Sequence, residues 1–257
     1  MAPQTYLITG TSDGIGLELV RQLASEGHTI YATVRKRESS MTGVDKISSI
    51  SGNVHIIEGC DVTDDNVGDV LRPALANVTL DVVVHNAGGI NGTRDIKGMA
   101  IMADQKLDVV TPARMMAAFD LNCVGVLRVH QAICDRIASP GGKIAVISTG
   151  MGSIGDNASG GTYAYRCSKA AVNMLAKGMS ADLRQRGISV AAVNPNMVAT
   201  NFGPGFEALK SFKALPVEQS CADLRRIFDD LITMENSGSF FTVCKDGSAP
   251  KVFPGGW

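Results

Sequence analysis

The sequence has few aromatic residues, almost no net charge and no long hydrophobic run. Aromatic side chains make up 5% of the 257 residues, and the formal net charge is -1. A chain so balanced has no broad basic field for nucleic acid, so any phosphate binding must be local. No apolar run is long enough to span a membrane, and the N-terminus lacks the features of a signal peptide. We therefore expect a cytoplasmic protein that binds a small molecule rather than nucleic acid or a membrane.

Cysteine and histidine are also sparse, and their spacing does not suit metal binding. The six cysteines include no C-x-x-C pair, and most lie in apolar runs, as small core residues do. The four histidines show no metal-ligand spacing and no neighbouring nucleophile. We expect a reducing compartment, no metal and no catalysis by histidine. Cys167 is expected to fill space in a helix, with an exposed thiol as the alternative.

Hydrophobic side chains, in contrast, form 45% of the chain and recur in short β-branched runs separated by helical stretches. Alternating short apolar strands and helices predict parallel βαβ units in a sheet that is covered on both faces. We therefore predict one α/β domain over 1–257, with a Rossmann-type doubly wound parallel sheet flanked by helices. The predicted strands are Thr5–Thr9, Thr29–Val34, Val54–Ile57, Asp81–Val84, Lys143–Ser148, Ser189–Val193 and Gly238–Val243.

Other segments are assigned by their glycines or by weak periodicity. Gly27 and Gly187 each follow a helical stretch, where a left-handed residue ends a helix. The weakly periodic stretches Gly88–Thr111 and Asn201–Leu215 are candidate substrate-site loops. The Gly/Pro-rich tail that ends at Trp257 is expected to pack on the domain.

A glycine-rich turn joins the first predicted strand to the first helix. Gly10, Gly14 and Gly16 are spaced G-x-x-x-G-x-G. Glycine permits a tight turn and a close approach of backbone to a pyrophosphate, while the helix N-terminus offers free N–H groups and a positive dipole. The turn therefore predicts a dinucleotide site, although three such glycines by themselves could be only a turn. The residues between them that we assign to the site are Ser12, Asp13 and Ile15.

The end of the second strand bears on which dinucleotide would bind. An Asp or Glu at this place hydrogen-bonds the ribose hydroxyls of NAD and repels a 2′-phosphate. The sequence has Val34 there, followed by Arg35, Lys36 and Arg37. Because a guanidinium can bind phosphate through two hydrogen bonds, we predict NADP(H), with Arg35 at the phosphate. The alternative is that the basic triplet is a solvated surface.

Tyr165 and Lys169 are candidate reacting groups. Their four-residue spacing places phenol and ammonium on one face of a helix. A free phenol, with a pKa of about 10, is a weak acid at neutral pH, and a nearby ammonium lowers that pKa by favouring phenolate. We therefore predict that Tyr165 is a general acid or base. The alternative is a surface pair, since this spacing often arises by chance.

Together these motifs resemble the short-chain dehydrogenase/reductase family, whose T-G-x-x-x-G-x-G and Y-x-x-x-K patterns are both met. In that family many NADP-dependent members carry a basic residue where this chain has Asp13, which counts slightly against NADP(H). Three more segments resemble cofactor-binding family motifs, although His85 and Asn196 replace the usual residues. Their members are Asn86, Ala87 and Gly88 after the fourth strand, Asp61 and Val62 after the third, and Val198 and Thr200 after Asn194-Pro195.

The same resemblance implies further reacting-site residues. The family's S-S-x-x-G motif reads Ser148-Thr149-Gly150-Met151-Gly152 here, so alignment on Gly152 makes Thr149 the catalytic hydroxyl, with Ser148 as the alternative. The longer spacing from Thr149 to Tyr165 fits an inserted loop at Gly155–Gly161 bordering the substrate. Asn122 matches a family asparagine that supports a water chain to the lysine, and its alternative is to satisfy local backbone.

The resemblance implies reduction of a ketone or aldehyde, or oxidation of the corresponding alcohol. The chain ending, Gly238 to Trp257, resembles the small carbonyl-reductase and C-factor-like branch. Many relatives pair through two long helices, so a homodimer or homotetramer is expected. Two alternatives remain: an NADP(H)-binding sensor or interaction module with little turnover, and a non-redox biosynthetic enzyme that uses the same pocket.

Overall fold

The described residues form one eight-stranded sheet in a computed structural model, which covers residues 2–35, 45, 52–90, 100–103 and 105–257. The strands are β1 Thr5–Ile8, β2 Thr29–Thr33, β3 Val54–Ile57, β4 Val82–His85, β5 Lys143–Ile147, β6 Ser189–Asn194, β7 Phe240–Thr242 and β8 Lys251–Val252. Their order in the sheet is β3-β2-β1-β4-β5-β6-β7-β8. Neighbouring strands from β3 to β7 run parallel, while β8 pairs antiparallel with β7.

The predicted doubly wound sheet is confirmed. The seven predicted strands are all present, with bounds shifted by at most two residues at either end. The eighth, Lys251–Val252, lies in the predicted tail and is only two exposed residues long. A strand of two residues is too short to show the alternation of hydrophobic and polar side chains from which a strand is predicted.

Helices connect the strands. Two π-helical turns continue α-helices: Asp120–Val124 follows α4 (Pro112–Phe119), and Ile227–Leu231 follows α8 (Val217–Arg226). Two 3₁₀ turns occupy Gly150–Gly152 and Arg184–Arg186. The two weakly periodic stretches, predicted as loops, each contain a short helix, α3 and α7. The bounds are α1 Gly14–Ser25, α2 Val67–Ala74, α3 Ala100–Ala103, α4 Pro112–Phe119, α5 Gly125–Ile133, α6 Tyr163–Asp182, α7 Phe206–Ser211 and α8 Val217–Arg226.

The hydrophobic core lies on both faces of the sheet, because strand side chains alternate between the faces. Leu7 packs with residues of α2, α5 and α6 on one face. Its neighbours Tyr6 and Ile8 pack with residues of α1 and α8 on the other. All three are fully buried, and each such side chain contributes roughly 1.5–3 kcal/mol to the stability of the fold.

The topology determines where a ligand can bind. The chain passes from β1 outward to β2 and β3 and then returns to the other side of β1 with β4. At such a reversal the helices on the two sides leave a crevice at the carboxyl ends of the strands. Gly27 and Gly187 have φ angles of 85° and 68° and end helical segments as predicted. Among the described residues, no helix has both the length and the apolar character to cross a membrane.

Candidate active site

A cleft of about 330 Å³ opens at the carboxyl ends of the central strands. Most of the predicted site residues line it, so the fold brings the glycine-rich turn and the Y-x-x-x-K motif together. Gly16, Asp61 and Asn122 do not line the cleft. The predicted residues that line it are Gly10, Ser12, Asp13, Gly14, Ile15, Arg35, Val62, Asn86, Ala87, Gly88, Ser148, Thr149, Tyr165, Lys169, Val198 and Thr200.

The glycine-rich turn is packed too closely for side chains at two positions. Gly10 has a φ of 70°, and a Cβ there would lie 2.8 Å from the Cα of Ala87. A Cβ on Gly16 would lie 2.4 Å from the Gly10 carbonyl oxygen and 2.6 Å from Nδ2 of Asn86. Gly16 therefore lets α1 approach the strand ends closely, which explains its place beneath the cleft rather than in its lining.

The turn after β4 is tied to the end of β1. Nδ2 of Asn86 donates to the carbonyl oxygens of Thr9 at 2.9 Å and Gly10 at 3.0 Å. Oγ1 of Thr9 accepts from the backbone N–H groups of Asn86 and Ala87, both at 3.0 Å. These bonds hold the two segments that flank the topological reversal, and they leave the backbone of the turn facing the cleft.

Asp13 occupies the N-terminus of α1. One carboxylate oxygen accepts from the Gly14 N–H at 2.7 Å, and the other accepts from Nδ2 of Asn201 at 3.0 Å. An aspartate at this position is a favourable helix cap. The contact with Asn201 links the glycine-rich turn to the segment before α7.

The end of β2 presents Arg35 to the cleft. Val34, at the position where an NAD-binding protein would carry an acid, is buried, whereas Arg35 is exposed and lines the cleft. Lys36 and Arg37 lie outside the described residues. Among the described residues of the lining, the side chains with formal charges are Asp13, Arg35 and Lys169.

Asp61 closes a turn after β3 instead of facing the cleft. Its Oδ1 accepts from the backbone N–H of Thr63 at 3.0 Å and from the Thr63 hydroxyl at 2.7 Å. The neighbouring Val62 is buried and lines the cleft, as does Cys60, which the sequence did not single out. The apolar wall at this end is thus formed by the residues on either side of Asp61.

Tyr165 and Lys169 are both buried on α6 at the cleft. Nζ of Lys169 donates to the Ile147 carbonyl oxygen at 2.8 Å and lies 5.9 Å from the centroid of the Tyr165 ring. Burial lowers the pKa of Lys169 to about 8 and raises the pKa of Tyr165 above its usual range. The direction for Tyr165 is opposite to the sequence prediction, because burial removes solvent from the phenol and so disfavours the charged phenolate.

The two candidate hydroxyls differ in their partners. The Ser148 hydroxyl is buried and donates to Oδ1 of Asn173 on α6 at 2.5 Å. The Thr149 hydroxyl accepts from the Met151 N–H at 3.2 Å, at the start of the 3₁₀ turn. In the part of the chain that the structure describes, the Thr149 hydroxyl donates to no acceptor, so its proton is available to a molecule in the cleft, whereas the Ser148 hydroxyl already donates to Asn173.

Asn122 lies behind Lys169 in the π-helical turn between α4 and α5. Its Oδ1 accepts from the Gly89 N–H at 3.0 Å, and its Nδ2 donates to the Gly89 carbonyl at 2.8 Å and to the Ser168 hydroxyl at 2.9 Å. These bonds tie the π-helical turn to Gly89, 33 residues earlier in the chain, and to Ser168 on α6. The predicted support of a water chain stays a prediction.

Asn196, which replaces the glycine of the family's motif, adopts a backbone conformation that favours glycine. Asn196 has a φ of 67°, a left-handed conformation that asparagine tolerates better than most residues. Its side chain donates to the Val243 carbonyl at 3.1 Å and accepts from the Met197 N–H at 2.8 Å. The loop therefore carries Val198 and Thr200 to the cleft.

An apolar wall beside Tyr165 was not predicted residue by residue. Ile90 and Tyr165 form a buried cluster against which Met102 and Met151 pack. The Phe202 ring lies 6.0 Å from that of Tyr165, tilted by 54°. Ile90, Met102 and Phe202 belong to the two weakly periodic stretches that are predicted as substrate-site loops. The sequence therefore predicts these segments, whereas the contacts of their side chains with Tyr165 appear only in the structure.

The chain ending packs on the domain, as expected. The Trp257 carbonyl accepts from the Ile154 N–H at 3.0 Å, and its ring stacks on Phe240 at 5.6 Å. The loop Gly155–Gly161 contributes nothing to the lining of the cleft.

Cys167 is exposed on α6, so the expectation that it fills space is wrong, and the alternative of an exposed residue is correct. Among the described residues, no group of His, Cys, Asp and Glu side chains could hold a metal ion.

Comparison with known proteins tests the family resemblance. The family model for short chain dehydrogenases matches residues 4–208, which span both the glycine-rich turn and the Y-x-x-x-K motif. The chain belongs to the short-chain dehydrogenase family. The predicted family is thereby confirmed, and the two motifs from which it was inferred lie in one cleft of this dehydrogenase.

Three similar proteins place this dehydrogenase among its relatives. It is 30% identical over 238 residues to 1-hydroxy-2-glutathionyl-2-methyl-3-butene dehydrogenase of Rhodococcus sp. (strain AD45), covering 92% of this chain and 95% of that one. It is 35% identical over 163 residues to C-signal of Myxococcus xanthus, covering 63% and 87%. The fold matches that of NADPH-bound carbonyl reductase from chicken fatty liver with a TM-score of 0.79 and 24% identity, over 100% of both chains.

Proposed function

We propose that this dehydrogenase is an NADP(H)-dependent oxidoreductase that reduces a ketone or aldehyde, or oxidises the corresponding alcohol. The observation that carries the proposal is that Tyr165 and Lys169 line the same cleft as the glycine-rich turn. A proton donor and a dinucleotide site must share one cavity if a proton and a hydride are to reach the same carbonyl group. The carbonyl reductase with the same fold binds NADPH, which agrees with this reading.

The residues of the cleft fit a nicotinamide dinucleotide. Gly10 and Gly14 line the cleft at the N-terminus of α1, where free N–H groups can bind a pyrophosphate, and Arg35 is the cation at the end of β2. A 2′-phosphate near Arg35 would meet no acid at position 34. Val198 and Thr200 line the same cleft, and a Cβ on Gly14 would lie 3.5 Å from the Thr200 side chain. When bound there, the cofactor supplies or accepts the hydride.

The side chains of this chain then manage the proton. A phenol whose pKa is at or above its usual value of about 10 holds its proton at neutral pH, so Tyr165 has a proton to donate to a carbonyl oxygen during reduction. Thr149 donates a hydrogen bond to the same oxygen, since its hydroxyl donates to no acceptor among the described residues. Lys169 holds a cofactor ribose, and its charge stabilises the tyrosinate that is left behind.

The substrate side is apolar. Met102, Met151 and Phe202 surround Tyr165, so a substrate whose carbonyl bears an apolar or aromatic group would bury that group against them. We further propose that the partner is such a small molecule, that the protein is cytoplasmic, and that it assembles as a homodimer or homotetramer. Light scattering after size exclusion that shows only monomer would contradict the assembly.

Binding and turnover together test the proposed function. We would measure NADPH and NADH affinity for wild type, Arg35→Ala and Arg72→Ala, an exposed arginine of α2 that serves as control. Loss of a charge-assisted phosphate contact should weaken NADPH binding by about 10- to 100-fold in Arg35→Ala and leave NADH unchanged. NADPH oxidation is then followed with a panel of ketones, aldehydes and diketones.

Replacing the proton donor completes the test. Tyr165→Phe should lower turnover by about 10³-fold without changing NADPH affinity, and Tyr163→Phe, two residues earlier on α6, is its control. NADPH binding without turnover of any carbonyl would favour a sensor or a non-redox enzyme. Failure to bind either dinucleotide would refute the proposal.

A further inference from the structure

Helix α6, which carries Tyr165, begins without a cap of its own. Thr162, the residue before its first turn, has a left-handed φ of 51° and makes no side-chain hydrogen bond to that turn. The N–H groups at the start of a helix have no partner inside it, and a Ser, Thr, Asp or Asn side chain at this position usually accepts from one of them. The first backbone hydrogen bond of α6 is donated by the Arg166 N–H to the Thr162 carbonyl oxygen, at 2.9 Å.

Gln105 supplies the missing acceptors from another part of the chain. Its backbone carbonyl accepts from the Tyr163 N–H at 3.2 Å, and its side-chain Oε1 accepts from the Tyr165 N–H at 3.2 Å. Gln105 is completely buried. A single residue sixty positions earlier thus bonds the N–H of the first residue of α6 and that of the third, which an N-cap side chain would otherwise serve.

The peptide groups of Tyr165 are consequently held on both sides. Its N–H is bonded to Gln105, and its carbonyl accepts from the Ser168 hydroxyl at 2.8 Å. Gln105 is also anchored near the apolar side chains that pack around Tyr165, because its own N–H donates to the Met102 carbonyl at 3.3 Å. Met102 packs in the cluster with Tyr165, so Gln105 joins the substrate side of the cleft to the backbone that carries the phenol.

We propose that Gln105 is a positioning residue that caps α6 in place of Thr162 and thereby fixes Tyr165 relative to a bound substrate. The cap itself is independent of the enzyme's chemistry, whereas its effect on turnover rests on the proposed function. A displacement of about 1 Å in a reacting group can lower the reaction rate by about 100-fold. Loss of a cap that holds the backbone of Tyr165 should therefore affect turnover more than the lost helix stability alone would.

Three variants test this role. Gln105→Met keeps the length of the side chain and removes the acceptor, while Gln105→Glu keeps an acceptor in the same place. Gln22→Met is the matched control, because Gln22 is a buried glutamine of α1 whose side chain bonds the Glu218 carbonyl at 3.0 Å on the other face of the sheet. For each we would measure residue-resolved amide hydrogen exchange, thermal midpoint, kcat and KM.

In Gln105→Met, exchange of the Tyr165 amide should accelerate by about tenfold, with little change at Tyr163, which still bonds the backbone of residue 105. Turnover should fall about 10- to 100-fold in kcat, with KM within about twofold of wild type. Gln105→Glu should restore both slow exchange and kcat. Gln22→Met should lower the thermal midpoint without altering either property.

Each other outcome overturns part of the proposal. Unchanged exchange at Tyr165 in Gln105→Met would refute the cap. Faster exchange with full kcat would refute the positioning role, and an equal loss of kcat in Gln22→Met would reduce it to general stability. A wild type that reduces no carbonyl would contradict the proposed function instead. In that case, a crystal structure of Gln105→Met with Tyr165 undisplaced would refute positioning.

Discussion

The glycine-rich end of the cleft is packed closely around glycines, whereas the end that contains Tyr165 is built from buried side chains. At the first end, Gly10 and Gly16 allow backbone atoms to approach closely, and Asn86 bonds carbonyl oxygens of the turn. At the second end, the Tyr165 N–H is bonded to Gln105 and its carbonyl to the Ser168 hydroxyl. Both ends therefore depend on bonds between segments distant in sequence, and they differ in the residues used: glycines that leave no space for a Cβ at one end, and buried side chains at the other.

Substitution of the two neighbouring hydroxyls should give the largest effect and sharpen this comparison. Thr149→Val removes a hydrogen-bond donor to the reacting oxygen and should lower kcat by about 100-fold or more, with Thr149→Ser retaining most activity. Ser148→Ala removes the bond to Asn173 and should cost about 1 kcal/mol of unfolding free energy with a smaller loss in kcat. Steady-state kinetics and urea unfolding measure both. The reverse pattern would assign the catalytic role to Ser148.

A methyl group at the glycine-rich end should act through packing. Gly16→Ala places a Cβ 2.4 Å from a carbonyl oxygen, so it should lower the unfolding free energy by about 1–3 kcal/mol and weaken NADPH binding. Gly178→Ala is the matched control, because a Cβ there on α6 meets nothing within 4 Å and should stabilise the helix by up to about 1 kcal/mol. If Gly16→Ala binds NADPH with wild-type affinity and stability, the close packing of this turn is not required.

The smallest effect concerns the charge buried at the reacting end. Lys169 has a pKa of about 8 when folded, below its usual value of 10.5, so the unfolded chain binds more protons between these two values. The unfolding free energy therefore rises with pH in that range as the cost of burying the charge is relieved. Relative to Lys169→Met, the wild type should gain about 1 kcal/mol between pH 8 and pH 9.5. Urea unfolding at these two pH values measures the gain, and an equal dependence in both proteins would refute it.

The sequence by itself determined the order of strands and helices, the glycine-rich turn and the Y-x-x-x-K motif. These features follow from local rules: β-branched apolar runs form buried strands, glycine permits positive φ, and four-residue spacing places Tyr165 and Lys169 on one helix face. The resemblance to a family rested on the same motifs, and the comparisons confirmed it.

Only the tertiary structure decided how the reacting end is arranged. The direction of the Tyr165 pKa depends on how completely the fold removes water from the phenol, and no spacing rule contains that information. The same is true of Thr149 against Ser148, because Asn173 reaches Ser148 from a distant helix. Gln105 likewise gave no signal in a weakly periodic stretch. Long-range hydrogen bonds and desolvation arise when segments far apart in sequence pack together, so these features became visible only in the folded chain.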